Sequence, residues 1–315
     1  MANSVTSFYQ TLVAAAQEAS QVLVYNLKAV DSVFLDYDPS VIADIGQVLN
    51  IPIPGSQTSS IYDAGAADVS LYDVSATTKA ITMNKHPMAS FIVRDFEQFN
   101  TPERLRNVFL DGALKGIKED INSKVTALFT SGNFDTNSAI SCTSSIVTVT
   151  QFLNGKTALA DQKVPVNDAS NMSLLLPSKP YNSIQDSSVS AGQAWVNAQV
   201  AGMRTAETVR ASGETPVSFG VTVKLDQQMP ISGSAPNRTF TGALIHRWAV
   251  AVAARRLPEP DGRVVDYTYV DFAGIPIRIQ LGYNQLKNGY VVTVDAGYGL
   301  AVIRKEMGQI FSIAE

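Results

Sequence analysis

Cysteine, histidine and tryptophan are scarce in this 315-residue chain, which has one, two and two of them. A single Cys142 excludes an internal disulfide. Its Ser/Thr-rich surroundings, without a nearby histidine, suit a structural thiol better than a nucleophile. His86 and His246 cannot assemble a zinc site, and neither HExxH nor CxxC occurs, so both read as hydrogen-bonded structural residues. A GxSxG elbow and a GxxxxGKS/T loop are also missing, which removes the signatures of serine hydrolases and P-loop enzymes. Charged residues make up only 17%, the net charge is -4, and no dense Lys/Arg block exists. A dedicated nucleic-acid grip is therefore not expected, and the pairs Arg255-Arg256 and Arg304-Lys305 read as solvated strand ends. The loose acidic groups Asp36/Asp38, Asp95/Glu97 and Glu119/Asp120 read as solvated faces or inter-subunit ion pairs. No run of about 18 apolar residues is present, so no membrane-spanning helix is expected. The N-terminus lacks a basic region followed by an apolar block, so no secretory signal is expected. No catalytic site, cofactor or metal is expected.

What the chain does have is 45% hydrophobic residues, normal for a folded protein, and room for one large or two ordinary domains. Phe8, Leu12, Ala16, Ala19 and Leu23 recur at helical spacing, so Val5 to Leu23 is an amphipathic helix, or else an arm that orders on a partner. Asp38-Pro39 is expected to end regular structure. Val48, Leu49, Ile51 and Ile53 are strand-like, and Pro52 and Pro54 confine that strand to an edge. Ala67, Val69 and Leu71 share one face, Ile81 and Met83 another, and Asp73 to Thr78 suits the turn of an extended hairpin between them. Phe91 and Val93 continue as a strand. Thr101 then caps a helix with Pro102 at its first position and Glu103 at the positive end of the dipole. The stripe from Leu105 to Phe129 predicts a helix over Thr101 to Ser131, ~45 Å long, stopped by Gly132. Gly112 and Gly116 would mark the close approach of another backbone.

Beyond this rod the chain is mixed. Ile146 to Val149 reads as a short strand, with an organisational boundary near Thr150. Phe152 to Asp161 reads as a helix, Ser173 to Leu176 as a buried strand stopped by Pro177, and Tyr181 to Gln185 as a helical turn. Ala191 to Gly202 is a helix or a loop, and Gly220 to Leu225 a strand. Gly242 to Leu257 is a long strand or, given its alanines, a helix. Tyr267, Tyr269, Ile275, Ile277 and Ile279 alternate about a turn at Gly274. DAGYG at Asp295 to Gly299 reads as a tight turn between strands Val291 to Thr293 and Leu300 to Arg304, and Gln309 to Ile313 closes the chain. Trp195 and Trp248 read as isolated packing groups. The hairpin has too few large apolar residues to bury itself, and such a hairpin is marginal alone. Next to a long rod, it suggests a subunit that finishes its structure on its neighbours.

The order of these pieces resembles the major capsid proteins of tailed bacteriophages, with the Hong Kong 97-type fold. ADIGQVLNIPIPG, AITMNKHPMASFIVRDFEQFN, the long helix, SLLLPSKPYNSI, GALIHRWAVAVAARRL, FAGIPIRIQLGYN and DAGYGLAVIRKEMGQIFSI carry the likeness over nearly the whole chain. The resemblance implies an α+β fold in four parts. Residues 1–54 would be an N-terminal arm and leading strand, and 55–85 the extended loop lying on an adjacent subunit. Residues 86–150 and about 242–290 would form the peripheral domain with its spine helix; 151–241 and about 291–315 would form the axial domain. It implies inter-subunit contacts through the loop and helix, with Tyr62, Val69, Leu71, Tyr72, Lys79, Lys85, Arg104 and Arg106 as candidates. Some members also join a loop lysine to a neighbour's asparagine; Lys79 and Lys85, and Asn284 and Asn288, stand in the corresponding regions. The implied function is structural: a virion component forming pentamers and hexamers around double-stranded DNA held without sequence-specific binding. Portal and scaffolding proteins would be partners, no membrane would be involved, and assembly would take place in the host cytoplasm. An encapsulin-like compartment shares this fold, and a soluble enzyme is the reading from another class.

Overall fold

The computed structural model describes residues 27–42, 46–54, 76–94, 104–185, 217–260, 265–272 and 274–315. The strands of the first half are β1 (Phe34–Ile42), β2 (Val48–Pro54), β3 (Ala76–Thr82), β4 (Met88–Arg94) and β5 (Ile140–Cys142). The helices are α1 (Arg104–Thr126), α2 (Val149–Asp161) and α3 (Ser178–Gln185). The second half holds β6 (Met172–Leu176), β7 (Val217–Ser218), β8 (Val221–Leu225), β9 (Ile231–Ser232) and β10 (Thr239–His246). It continues with β11 (Val250–Arg256), β12 (Val265–Phe272), β13 (Ile275–Asn284), β14 (Gly289–Val302) and β15 (Gly308–Ala314).

Two sheets organise these elements. One runs β1-β11-β14-β13-β12, with β4 also on β14; the other runs β5-β15-β10-β6-β8-β7, with β9 on β10. A two-stranded ribbon, β2-β3, stands apart from both. A continuous apolar core joins the sheets: Leu110, Leu114, Ile117, Ile121 and Val125 of α1 meet Ile277, Val292 and Val294 of one sheet, and Leu174, Leu244 and Phe311 belong to the other. The α1 stripe recurs at three and four residues, so one helix face enters this core.

The apolar segment Gly242 to Leu257 is strand, as one of its two readings held, but not a single strand. β10 belongs to one sheet and β11 to the other, with a short 3-10 turn at Arg247–Ala249 between them. A second crossing at Lys305–Met307 returns the chain to the first of these. β11 is apolar from Val250 to Ala254 because both faces of that stretch are covered. Val250, Val252 and Ala254 enter the main core; Ala251 and Ala253 lie under the ribbon with Ile81, Met83, Leu257 and Ile303.

Several expectations are corrected. Asp38-Pro39 does not end regular structure, since β1 continues to Ile42. The ladder with β11 shifts register between Tyr37 and Ile42, so Pro39 sits where its missing N–H is not needed. The ribbon that contains Ile81 pairs with β2, Leu49 opposite Ile81, and residues 76–78 are strand rather than turn. The described helix ends at Thr126, not Ser131, because 3-10 bonds from Leu128 and Phe129 to Val125 and Thr126 tighten its last turn. Ile146 to Val149 is not a strand; Thr148 caps α2, its hydroxyl accepting from the Gln151 N–H while the Gln151 side chain accepts from the Thr148 N–H. Asp295 to Gly299 is no turn but the middle of β14. A Cβ on Gly299 would run into the Thr82 carbonyl, so the glycine serves the approach of the ribbon. Gly112 and Gly116 have open space around them, so they mark no close approach among the described residues. Arg255 is buried, donating to the Asp36 carbonyl at 2.9 Å and to its carboxylate at 2.9 Å. Trp248 is not isolated, since it stacks on Phe34 with centroids 4.0 Å apart. The helix expected over Val5 to Leu23 and the segment Ala191 to Gly202 lie outside the described residues.

Candidate assembly interface

The ribbon has two unequal faces. Cross-strand register puts Leu49 opposite Ile81, Ile51 opposite Lys79 and Ile53 opposite Thr77. Leu49, Ile51 and Ile53 pack on the cluster formed with Ala251 and Ala253. Side chains alternate along a strand, so Val48, Asn50, Pro52, Thr78, Ala80 and Thr82 point the other way, where all of them are exposed. The ribbon thus leans on its own subunit with one face and leaves the second exposed among the described residues.

Its base is fastened to β14. The Lys85 N–H donates to the Tyr298 carbonyl and the Tyr298 N–H to the Lys85 carbonyl, each at 3.0 Å. One residue on, His86 Nε2 lies 3.1 Å from Asp295 Oδ2. Asp295 is buried and also takes a two-pronged contact from Arg278, Nε at 3.0 Å and Nη2 at 2.6 Å. Such a fork fixes direction as well as distance. From the same strand the buried Tyr298 hydroxyl donates to Asp120 Oδ2 of α1 at 3.3 Å. Burial first, and the Asp120 charge second, raise the Tyr298 pKa, so it stays a donor. Ribbon, β14 and α1 are therefore mechanically linked by short polar contacts.

Of the candidate contact residues, Tyr62, Val69, Leu71 and Tyr72 lie outside the described residues. Lys79 is exposed on β3 and Lys85 is exposed at the ribbon base. Arg104 and Arg106 occupy the first turn of α1. Lys79 and Lys85 share the returning limb of the ribbon, and the two arginines follow the segment 95–103. Asn284 accepts with its side chain from the Leu286 and Lys287 N–H groups in the β13–β14 turn. Sequence reasoning missed the apolar residues displayed on folded parts of the surface. Leu286 at that turn is 98% exposed, and Met88, Ile231 and Trp248 are also exposed. The available signal was a large aliphatic residue inside the polar turn NQLKN. His246 accepts from the Trp248 N–H at 3.3 Å, a structural role. Among the described residues no group of three His, Cys, Asp or Glu is placed to hold a metal, and no helix is long and apolar enough to cross a membrane.

No protein-family model matches this sequence, and no curated protein matches it either. Solved structures do match. The capsid of cyanophage P-SCSP1u aligns over 90% of this chain and 86% of its own, with TM-score 0.58 and 13% identity. The capsid of Ralstonia phage GP4 aligns over 90% and 89%, with TM-score 0.58 and 11% identity. The capsid of the native GTA particle aligns over 93% and 92%, with TM-score 0.56 and 11% identity. The chain therefore has the fold of the major capsid proteins of tailed bacteriophages. It is a Hong Kong 97-type fold, α+β, with few helices and many strands.

Proposed function

We propose that this protein is the structural subunit of an icosahedral bacteriophage capsid. The observation that carries the reading is the fold, which aligns over 90% of the chain with each of two capsid structures. The six-stranded sheet with α1 is the peripheral domain and the seven-stranded sheet the axial domain. The ribbon continues into the extended loop, and the ribbon's exposed face is met by an adjacent subunit. Tyr62, Val69, Leu71, Tyr72, Lys79, Lys85, Arg104 and Arg106 contribute to these contacts. Copies form pentamers and hexamers that close around double-stranded DNA, which is enclosed without sequence-specific binding. Portal and scaffolding proteins complete the particle, which assembles in the host cytoplasm. The role is structural rather than enzymatic.

The physical basis is repetition. A contact burying about 1,600 Å² is enough for one specific interface. Closed symmetry then satisfies every patch on every copy. Negative-stain electron microscopy of the purified chain tests this. Closed particles of uniform size are expected. A monomer or dimer under all salt and crowding conditions would overturn the reading, and packaged protein in place of DNA would favour a compartment instead.

A further inference from the structure

One buried carboxylate has no role in the account above. Asp226 follows β8 and is fully buried. Its Oδ2 accepts from the N–H groups of Lys28 and Ala29, both at 2.8 Å. Asn122 Nδ2 of α1 donates to both oxygens, at 3.1 and 3.0 Å, and the Gln228 N–H donates to Oδ1 at 2.8 Å. The carboxylate thus gathers four donor groups from three segments distant in sequence. Asn122, also fully buried, is used at both ends: its Oδ1 accepts from the Val30 N–H at 3.4 Å, and its Nδ2 donates to Gln228 Oε1 as well, at 3.2 Å. Thr126 reinforces the same joint by donating to the Gln228 carbonyl at 3.1 Å. On the outer side, Lys224 Nζ donates to Ser32 Oγ at 2.8 Å, and Ser32 Oγ donates to the Lys28 carbonyl at 2.8 Å.

We infer that Asp226 is a positioning residue that anchors the N-terminal arm, fixing the point from which the chain ahead of Leu27 starts. The geometry is one-sided. Two consecutive arm N–H groups, at the start of the 3-10 turn Val30–Ser32, converge on one oxygen. A charged acceptor makes stronger hydrogen bonds to backbone N–H groups than a neutral one. The other oxygen is committed to the helix and to the axial-sheet segment. Arm, spine helix and axial sheet thereby share one acceptor, and displacing the arm leaves a buried charge short of donors. The inference deepens the shell-subunit reading and rests on it for the arm's purpose, though not for the anchor itself.

Hydrogen exchange on the unassembled full chain tests the anchor. Asp226→Asn keeps the shape but removes the charge and leaves one acceptor oxygen where two were used, so the arm N–H groups and the Gln228 N–H compete for it. The substitution should speed exchange at residues 28–33 by about tenfold or more, with β10 and β14 unchanged. Ser32→Ala leaves the carboxylate alone and loosens only the arm side, so it should give a smaller increase confined to the same residues. If D226N unfolds the chain, the Ser32→Ala result decides. Unchanged protection at 28–33 in both variants, or uniform loss across the core with S32A silent, would overturn the anchor. Because exchange is read before assembly, a wild-type chain that never forms particles counts against the shell reading alone.

Discussion

Arg255 and Cys142 show how much a single side chain depends on what surrounds it. Arg255 is buried on β11, and its guanidinium ties Asp36 of β1 into the sheet through carbonyl and carboxylate. Arg255→Ala should lower stability by about 2 kcal/mol, read as a fall in the denaturant midpoint, because charge-assisted bonds are lost while Asp36 still reaches water. Arg255→Lys should recover only part, since an ammonium cannot make the fork. Cys142 is buried and its thiol is pushed up to about 12 by burial. A thiol whose folded pKa exceeds its unfolded value binds its proton more tightly when folded. Its contribution to stability is therefore complete below pH 9 and is lost as pH rises towards 12. We predict that Cys142→Ala flattens part of that alkaline loss, and that the native thiol resists alkylating reagents at pH 8 until the chain is unfolded. Rapid labelling of the folded protein would contradict the burial.

At the scale of elements, the two kinds of glycine make opposite predictions. Gly299 is where β14 passes the ribbon base, and a methyl group there meets the Thr82 carbonyl. Gly299→Ala should cost roughly 1–3 kcal/mol of stability and raise hydrogen exchange at Ile81 to Met83. Gly112 and Gly116 face open space on α1. Gly112→Ala and Gly116→Ala should each stabilise the free subunit by about 1 kcal/mol, seen as a higher Tm. If particles nevertheless fail to form from those variants, a neighbouring copy approaches the helix there. The cap of α2 is a third case. Thr148→Ala removes the acceptor for the Gln151 N–H and should cost about 1 kcal/mol by thermal melting. The sequence TVTQ carried this capping box in plain sight, but the β-branched residues around it made the segment look like a strand.

For the whole molecule, the decisive element is the ribbon with the loop it leads into. The ribbon base is fixed to β14 by the Lys85–Tyr298 pair and the His86–Asp295–Arg278 contacts. Replacing residues 55–75 by a short turn should leave a folded, soluble subunit with unchanged exchange in both sheets, yet no shells by electron microscopy. Normal particles from that deletion would sink the role given to the loop.

Strands such as Met88–Arg94, Met172–Leu176 and Gly308–Ala314 were legible in the sequence, because alternation and apolar runs are local consequences of burying one or both faces of a strand. The spine helix was legible for the same reason, its stripe recurring at three and four residues. What the sequence by itself determined, then, is the long helix and those strands whose pattern is local, and that no recognised catalytic motif unites them. Only the tertiary structure decided that GALIHRWAVAVAARRL divides between two sheets, since an apolar run carries no mark of which neighbour covers it. The same holds for DAGYG, which local turn chemistry assigns to a bend. The approach of the ribbon from above makes it the straight middle of β14. It holds again for Asp226 and Asn122, whose partners lie about 100 to 200 residues away. Long-range pairing of polar groups leaves no periodic trace in a chain, because it is fixed by where the packed elements meet and not by spacing along the sequence.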